Sequence, residues 1–304
     1  MEKVAAVVVT YNRLEKLKTV LASIEAQEFS PWKLVIVDNA STDGTAQFLA
    51  TYESPLDLEI VSLPTNTGGA GGFSAGMSRG YELGADFVWI MDDDCYPNPA
   101  ALRELVRGFN GAVDQLGKDV PFACSVVEFV DGNLSEMNNP VPTWDWGRLR
   151  VKGQDSVMVR TCSFVSVLIP RWVMEKYGLP YSEYFIWFDD HEYTLRISGV
   201  CPGVQVMNSV VVHDMGVNKG VNFSLIDPSN SWKFSYGIRN EGSYRLHHEG
   251  FASYVLFAAR VIIGMRRGHV GRRLQLRMVR QLLAAIRFNP KPVYPEIRSL
   301  DPAR

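Results

Sequence analysis

No C-x-x-C pair occurs in this chain of 304 residues, and its four cysteines, Cys95, Cys124, Cys162 and Cys201, are widely scattered. That spacing argues against a zinc ribbon and a disulfide framework, and makes a reducing cytosol the natural compartment. No apolar run reaches eighteen residues, so a membrane-spanning helix is not expected. The amino terminus, MEKVAAVVVTYNR, has six apolar residues at 4–9 followed by a charged helical pattern instead of a cleavage site. It therefore reads as a strand, not as a signal peptide. Net charge is also scant, at −2, but it is unevenly spread. Residues 251–304 hold eleven Lys and Arg against Glu296 and Asp301, a balance of +9 that leaves −11 for residues 1–250. The tail is a separate electrostatic object.

With 46% hydrophobic and 21% charged residues, the chain can build a sizeable core. The runs VAAVVVT, KLVIVDN, LEIVSL and DFVWIMDDD alternate with the helical patterns LEKLKTVLASIEAQ, GTAQFLATYE and GGFSAGMSRGYELG. This alternation predicts an α/β fold, a mostly parallel sheet with crossover helices. Ligands of such sheets bind outside the carboxyl ends of the strands. The polar residues fall there: Thr10, Tyr11 and Asn12; Asp38 and Asn39; residues 64–69; Asp92, Asp93 and Asp94. Beyond residue 120 the pattern is less regular, and VRTCSFVSVLIP is expected to be a strand ending at Pro170. One mixed α/β unit with a helical carboxyl-terminal extension accounts for the whole chain.

Three adjacent carboxylates at one chain reversal raise an electrostatic question, because each repels the others and none is stable if desolvated without a partner. Either the turn is solvated and caps the helix beginning near Asn98, or something positive sits against it. After LVIV, Asp38 is placed to face the crevice, whereas Asn39, Ser41 and Thr42 suit helix capping. NTGGAGGFSAG crowds five glycines into eleven residues, which allows close backbone approach and free N–H groups for an anion at Asn66, Gly68 and Gly69. It is neither G-x-G-x-x-G nor a P-loop.

Taken in order, VVVTYNR, VDNASTDGT, NTGGAGGFSAGM, WIMDDDC and FIWFDDHEYTLR resemble the family 2 inverting glycosyltransferases of the GT-A fold, a Rossmann-like nucleotide-diphospho-sugar transferase fold. GGAGGF and the DDD triplet are most similar to bacterial galactofuranosyltransferases, with rhamnosyltransferases as close relatives. The resemblance covers residues 3 to about 245. It implies a catalytic domain over 1–245, with a nucleotide-sugar half at 1–120 and an acceptor half at 121–245, followed by a basic amphipathic extension at 246–304.

The resemblance also implies site roles. Thr10 and Tyr11 flank the base and Asp38 accepts from the uracil imide. A divalent cation, Mn or Mg, is held by Asp92, Asp94 and His213 and offsets the triplet, with Asp93 nearer the ribose or sugar. Asp190 matches the base that takes the acceptor proton. Asp189 meets sugar hydroxyls, Trp187 stacks on an acceptor ring and Glu192 joins them in the acceptor site, while Asp190 and Glu192 also suit the cap and first turn of a helix. Ser166 stands where many relatives have Gly. The implied reaction uses UDP-galactofuranose, or else dTDP-rhamnose, to extend a lipid-linked cell-envelope glycan. A non-catalytic nucleotide- or glycan-binding module is the alternative of another class. The basic tail suits an anionic membrane interface, peripheral at the cytoplasmic face, or packing against a partner subunit in a homo-oligomer. The acidic body speaks against nucleic acid.

Overall fold

Residues 4–9 are apolar in succession, as a strand covered on both faces must be, and they form an interior strand of a ten-stranded sheet. A computed structural model describes residues 2–296; Met1 and residues 297–304, the end of the expected 246–304 extension, lie outside the described residues. The strands are β1 (Val4–Thr10), β2 (Lys33–Asp38), β3 (Leu58–Ser62), β4 (Phe87–Asp92), β5 (Cys95–Pro97), β6 (Ala123–Phe129), β7 (Val141–Pro142), β8 (Ser156–Thr161), β9 (Val167–Pro170) and β10 (Gly203–His213). Their order is β3-β2-β1-β4-β9-β6-β10-β8-β7, with β5 paired to β10 off this path. β3, β2, β1 and β4 pair in parallel, and β10 is parallel to β6. Only β5, β8 and β9 run against the rest. The sheet is thus mixed and mostly parallel, as the alternating pattern predicts.

The helices are α1 (Leu14–Glu25), α2 (Thr45–Leu49), α3 (Gly68–Glu82), α4 (Ala101–Leu116), α5 (Arg148–Val151), α6 (Arg171–Tyr177), α7 (Asp189–Ile197), α8 (Ser231–Tyr244), α9 (Phe251–Arg267) and α10 (Arg272–Ala285). Successive side chains of a strand point to opposite faces. Val4, Ala6 and Val8 accordingly join Leu17, Leu21 and Ile24 of α1 and Leu105 of α4 in one core. Ala5, Val7 and Val9 join Phe73 and Met77 of α3 and Tyr193 of α7 in a second. A third core gathers Ile238 of α8, Phe257 and Val261 of α9 and Met278 and Leu282 of α10, and it includes residues on both sides of position 245.

Two local expectations are revised. The run VRTCSFVSVLIP is not one strand: β8 ends at Thr161 and β9 starts at Val167. Between them Ser166 has φ +121°, a conformation strained for any residue with a Cβ. Its hydroxyl is buried and held by Trp89 Nε1 at 2.9 Å and Ser125 Oγ at 2.7 Å, and Ser166 is not among the residues lining the cleft. The glycines of α3 also serve a different end. A Cβ at Gly72 would stand 2.4 Å from Val9 Cγ1, and one at Gly76 2.4 Å from Val7 Cγ1. That spacing of four puts both on one helix face, and their bareness lets α3 lie directly on β1.

Candidate active site

The carboxyl ends of the parallel strands open into a single cleft of about 1980 Å³, larger than most small-ligand sites. Backbone register assembles one wall of it. β4 pairs with β1 so that Val9 stands opposite Asp92, which brings Asp93 beside the end of β1. The chain then reverses into β5, and β5 pairs with β10 so that Cys95 stands opposite His213. Asp94 and His213, 119 residues apart, therefore meet: Asp94 Oδ1 is 3.2 Å from His213 Nε2.

What stabilises the triplet is partly the chain itself. Arg13 Nη1 donates to Asp93 Oδ1 at 3.1 Å and to Asp94 Oδ2 at 2.6 Å. Lys16 Nζ stands 3.9 Å from Asp94 and 3.2 Å from Asp214. Asp93 also accepts from Thr10 Oγ1 at 2.8 Å and from the Tyr11 amide at 3.3 Å. These contacts tie Asp93 to the end of β1. Burial pushes each carboxyl up, but the outcomes differ. Asp92, with Asp94 and Asp93 beside it, is raised well above the usual carboxylate range. For Asp94, the His213 hydrogen bond and the Arg13 charge outweigh burial and lower it.

Donor geometry fits a hard divalent cation at Asp94 and His213. Two ligands each about 2.1 Å from one cation at right angles stand about 3 Å apart, close to the separation found here. The carboxylate suits Mn or Mg, and the imidazole admits softer divalent ions as well. Cys95 Sγ is the third donor atom within 4.8 Å of these two, and that group does not include Asp92. Asp92, expected among the ligands, instead lines the cleft. The Cys95 thiol is fully buried and pushed up by that burial and by Asp92.

The opposite wall carries the second acidic pair. Residues Phe185, Trp187 and Phe188 have φ of +64°, +67° and +72°, a cluster of left-handed non-glycine residues that persists only when its surroundings hold it. Asn240, fully buried on α8, holds it with one amide group: Nδ2 donates to the carbonyls of Tyr184 at 2.9 Å, Ile186 at 3.2 Å and Trp187 at 2.9 Å. α7 then starts with no side-chain cap, and its acidic first turn faces the positive end of the helix. Burial raises Asp189 to about 8, with the neighbouring Asp190 charge adding to it. Burial raises Asp190 to about 6 against the His191 amide, which donates to Asp190 Oδ1 at 2.7 Å. The two cannot both ionise cheaply. Burial therefore holds both carboxyls above the usual carboxylate range, and the charge of one disfavours the charge of the other.

Of the residues expected at the site, Thr10, Tyr11, Asn66, Gly68, Gly69, Asp92, Asp93, Asp94, Trp187, Asp189, Asp190 and His213 line the cleft. Asp38 does not; it is buried, and its Oδ1 accepts from the Ser41 amide at 2.9 Å in a local turn. Its neighbour Asn39 lines the cleft instead. Glu192 is turned away as well, fully buried and paired with Arg196 at 2.8 Å. The free N–H groups expected at the start of α3 are largely taken. Asn66 Oδ1 accepts from Gly68 N at 2.8 Å, and Phe185 O from Ala70 N at 3.1 Å. Trp187 packs edge-on against Phe234 of α8, ring centroids 4.9 Å apart.

Asn39 reads from the sequence as suiting a helix cap, and Arg13, Lys16 and Asn138 carry no site role there. Arg13 and Lys16 had a usable signal, since TYNRLEK follows the strand that a parallel sheet sets beside WIMDDD. Asn138 lies in an irregular loop and had none. α9 also contributes a wall, through Leu256, Ala259, Arg260, Ile263 and Arg267 on one helix face.

The family model described as Glycosyl transferase family 2 matches residues 5–166. Galactofuranosyltransferase GlfT1 of Mycolicibacterium smegmatis is 42% identical over 96 residues, 32% of this chain and 31% of that protein. The match thus spans about a third of that relative. Among solved structures, S. aureus TarS 1-349 in complex with UDP-GlcNAc superposes with a TM-score of 0.57 at 15% identity, over 94% of this chain and 81% of that one. GalNAc-T7 with UDP, GalNAc and Mn2+ has a TM-score of 0.57 at 14% identity, over 82% of this chain and 49% of that one. At such identities the likeness is one of fold, and the fold is GT-A.

Because Arg13 and a divalent cation would offset the same carboxylates, their effects are expected to substitute for each other. With EDTA present, Arg13→Gln should lower unfolding free energy by about 1–2 kcal/mol, a charged hydrogen-bond contribution reduced by the half-exposure of the guanidinium. Saturating Mn should stabilise the variant at least as much as the wild type in thermal melts. Equal melting temperatures in EDTA would show that Arg13 does not offset the triplet.

Proposed function

Since the chain belongs to glycosyl transferase family 2, we propose that it moves a sugar with inversion from a UDP donor onto a lipid-linked glycan of the cell envelope, the sugar being galactofuranose. The observation that carries this reading is the pairing, across one cleft, of the Asp92, Asp93 and Asp94 wall with buried Asp189 and half-buried Asp190. The 42% match to a galactofuranosyltransferase supports the sugar, and the UDP-GlcNAc complex of a structural neighbour supports a UDP donor.

In this reading the donor lies across the ends of β1 and β4, with Thr10 and Tyr11 beside the base. Asp94 and His213 hold a divalent cation, Mn or Mg, which when bound supplies Lewis-acid stabilisation of the departing diphosphate. Arg13 and Lys16 stand close enough to the same carboxylates to turn toward phosphate oxygens. Asp190 accepts the proton of the acceptor hydroxyl as its oxygen attacks the anomeric carbon from the face opposite the leaving group. The carbon–phosphate oxygen bond breaks and UDP leaves. Asp189, kept protonated, donates a hydrogen bond to a sugar oxygen, and the Trp187 edge closes the acceptor side.

No helix among the described residues is long and apolar enough to cross a membrane. α9 and α10 nevertheless expose Phe251, Leu256, Ile263, Leu276 and Leu283, together with Arg266, Arg272, Arg273 and Arg280. Each cation near an anionic surface contributes about 1 kcal/mol. We assign these helices to peripheral docking on the cytoplasmic membrane face, where a lipid-linked acceptor is delivered.

Two measurements check the proposal. With UDP-galactofuranose as donor, Asp190→Asn should cut transfer by about two to four orders of magnitude, with donor affinity nearly unchanged. Wild-type kcat/KM should rise with pH through about 6, as Asp190 loses its proton, and level off above. A variant that keeps most of its turnover, or a profile that falls over that range, moves the base elsewhere. For docking, the full chain should pellet with anionic but not neutral vesicles and be released by salt. Changing Arg266, Arg272, Arg273 and Arg280 together to Gln should abolish pelleting while donor hydrolysis persists. Pelleting indifferent to lipid charge would assign the helices to packing.

A further inference from the structure

The imidazole of His213 is held from behind as well as in front. Nδ1 is 2.8 Å from Asn138 Oδ1, and both residues are buried. Asn138 is itself fixed on two sides. Its Oδ1 accepts from Ser135 Oγ at 2.6 Å, and its Nδ2 donates to Ser163 Oγ at 2.8 Å. An amide turned this way shows oxygen to Nδ1, and oxygen only accepts. Nδ1 then donates to Asn138 Oδ1, and Nε2 faces the Asp94 carboxylate, which also only accepts, so a cation between them would take the place of the Nε2 proton and leave the Nδ1–H form. A metal-ligating histidine needs that arrangement, and the partner on its other nitrogen is what imposes it.

We propose that Asn138 is a positioning residue for the cation site, selecting the Nδ1–H tautomer of His213 and orienting Nε2 toward a divalent cation shared with Asp94. This rests on the metal part of the proposed function and is independent of the sugar transferred. It gives the loop between β6 and β7 a task that its irregular sequence does not announce. Ser163 lies in the turn after β8, where the neighbouring Cys162 backbone meets Thr194 of α7 at 3.4 Å. Hydrogen bonds on either side of the Cys162–Ser163 peptide link thus connect the cation wall of the cleft to the helix that carries Asp190.

The test uses the full chain and Mn2+ or Mg2+ alone, without donor. Calorimetric Mn2+ affinity should fall about 10- to 100-fold in Asn138→Leu, the usual loss for an orienting partner. Asn138→Asp, which keeps an oxygen toward Nδ1, should stay within a few-fold of wild type. In wild-type protein with 15N-labelled histidine and Mg2+, the His213 resonances should report a protonated Nδ1 and an unprotonated Nε2. That spectrum needs no variant, so a leucine variant that fails to fold does not rescue the proposal. An Nε2-protonated ring in the loaded wild type, or equal Mn2+ affinity in a folded Asn138→Leu, would overturn it with the metal reading intact. No divalent binding by wild type would overturn both.

Discussion

Three carboxylates at the end of β4 form the constraint around which the rest is arranged. Like charges at that density, with Asp93 and Asp94 almost wholly withdrawn from water, are tolerable only where positive charge and hydrogen-bond donors converge. β1 supplies Thr10, the turn after it Tyr11 and Arg13, α1 Lys16, and β10 His213. Each arrives by strand register, so the electrostatics of the cleft follow from how the sheet is ordered. The same crowding makes the wall receptive to a cation and, through it, to a diphosphate.

The architecture was legible wherever it rests on local pattern. Unbroken apolar runs marked β1, β2 and β4, and the polar residues ending them marked the cleft mouth. The acidic clusters were legible because carboxylates in series at a strand end have few structural uses. Legibility failed where a side chain's fate depends on what folds against it from far away. Asp38 turns into its own loop, Glu192 is captured by Arg196 one helical turn on, and the glycines of α3 answer to the valines of β1. Arg13 looked like an ordinary charge at a helix start until β4 was set beside β1.

The two walls are held by different means. The cation wall is electrostatic and self-neutralising, whereas the wall bearing Asp190 is a strained loop pinned by the single amide of Asn240. Strain of this kind costs on the order of 1–3 kcal/mol per residue, and it keeps the acidic start of α7 facing the cleft. Burial there raises both carboxyls, and each disfavours the charge of the other. α9 lines the cleft with arginines and apolar residues together.

The central claim is that the triplet wall takes a divalent cation at Asp94 and His213 with a nucleoside diphosphate beside it. Anomalous diffraction from crystals grown with Mn and UDP tests this most directly. A single manganese peak should lie about 2.1–2.3 Å from Asp94 and His213, with Arg13 turned from Asp94 toward phosphate. A peak elsewhere in the cleft, or UDP bound with Arg13 still on Asp94 and no manganese, would contradict the account.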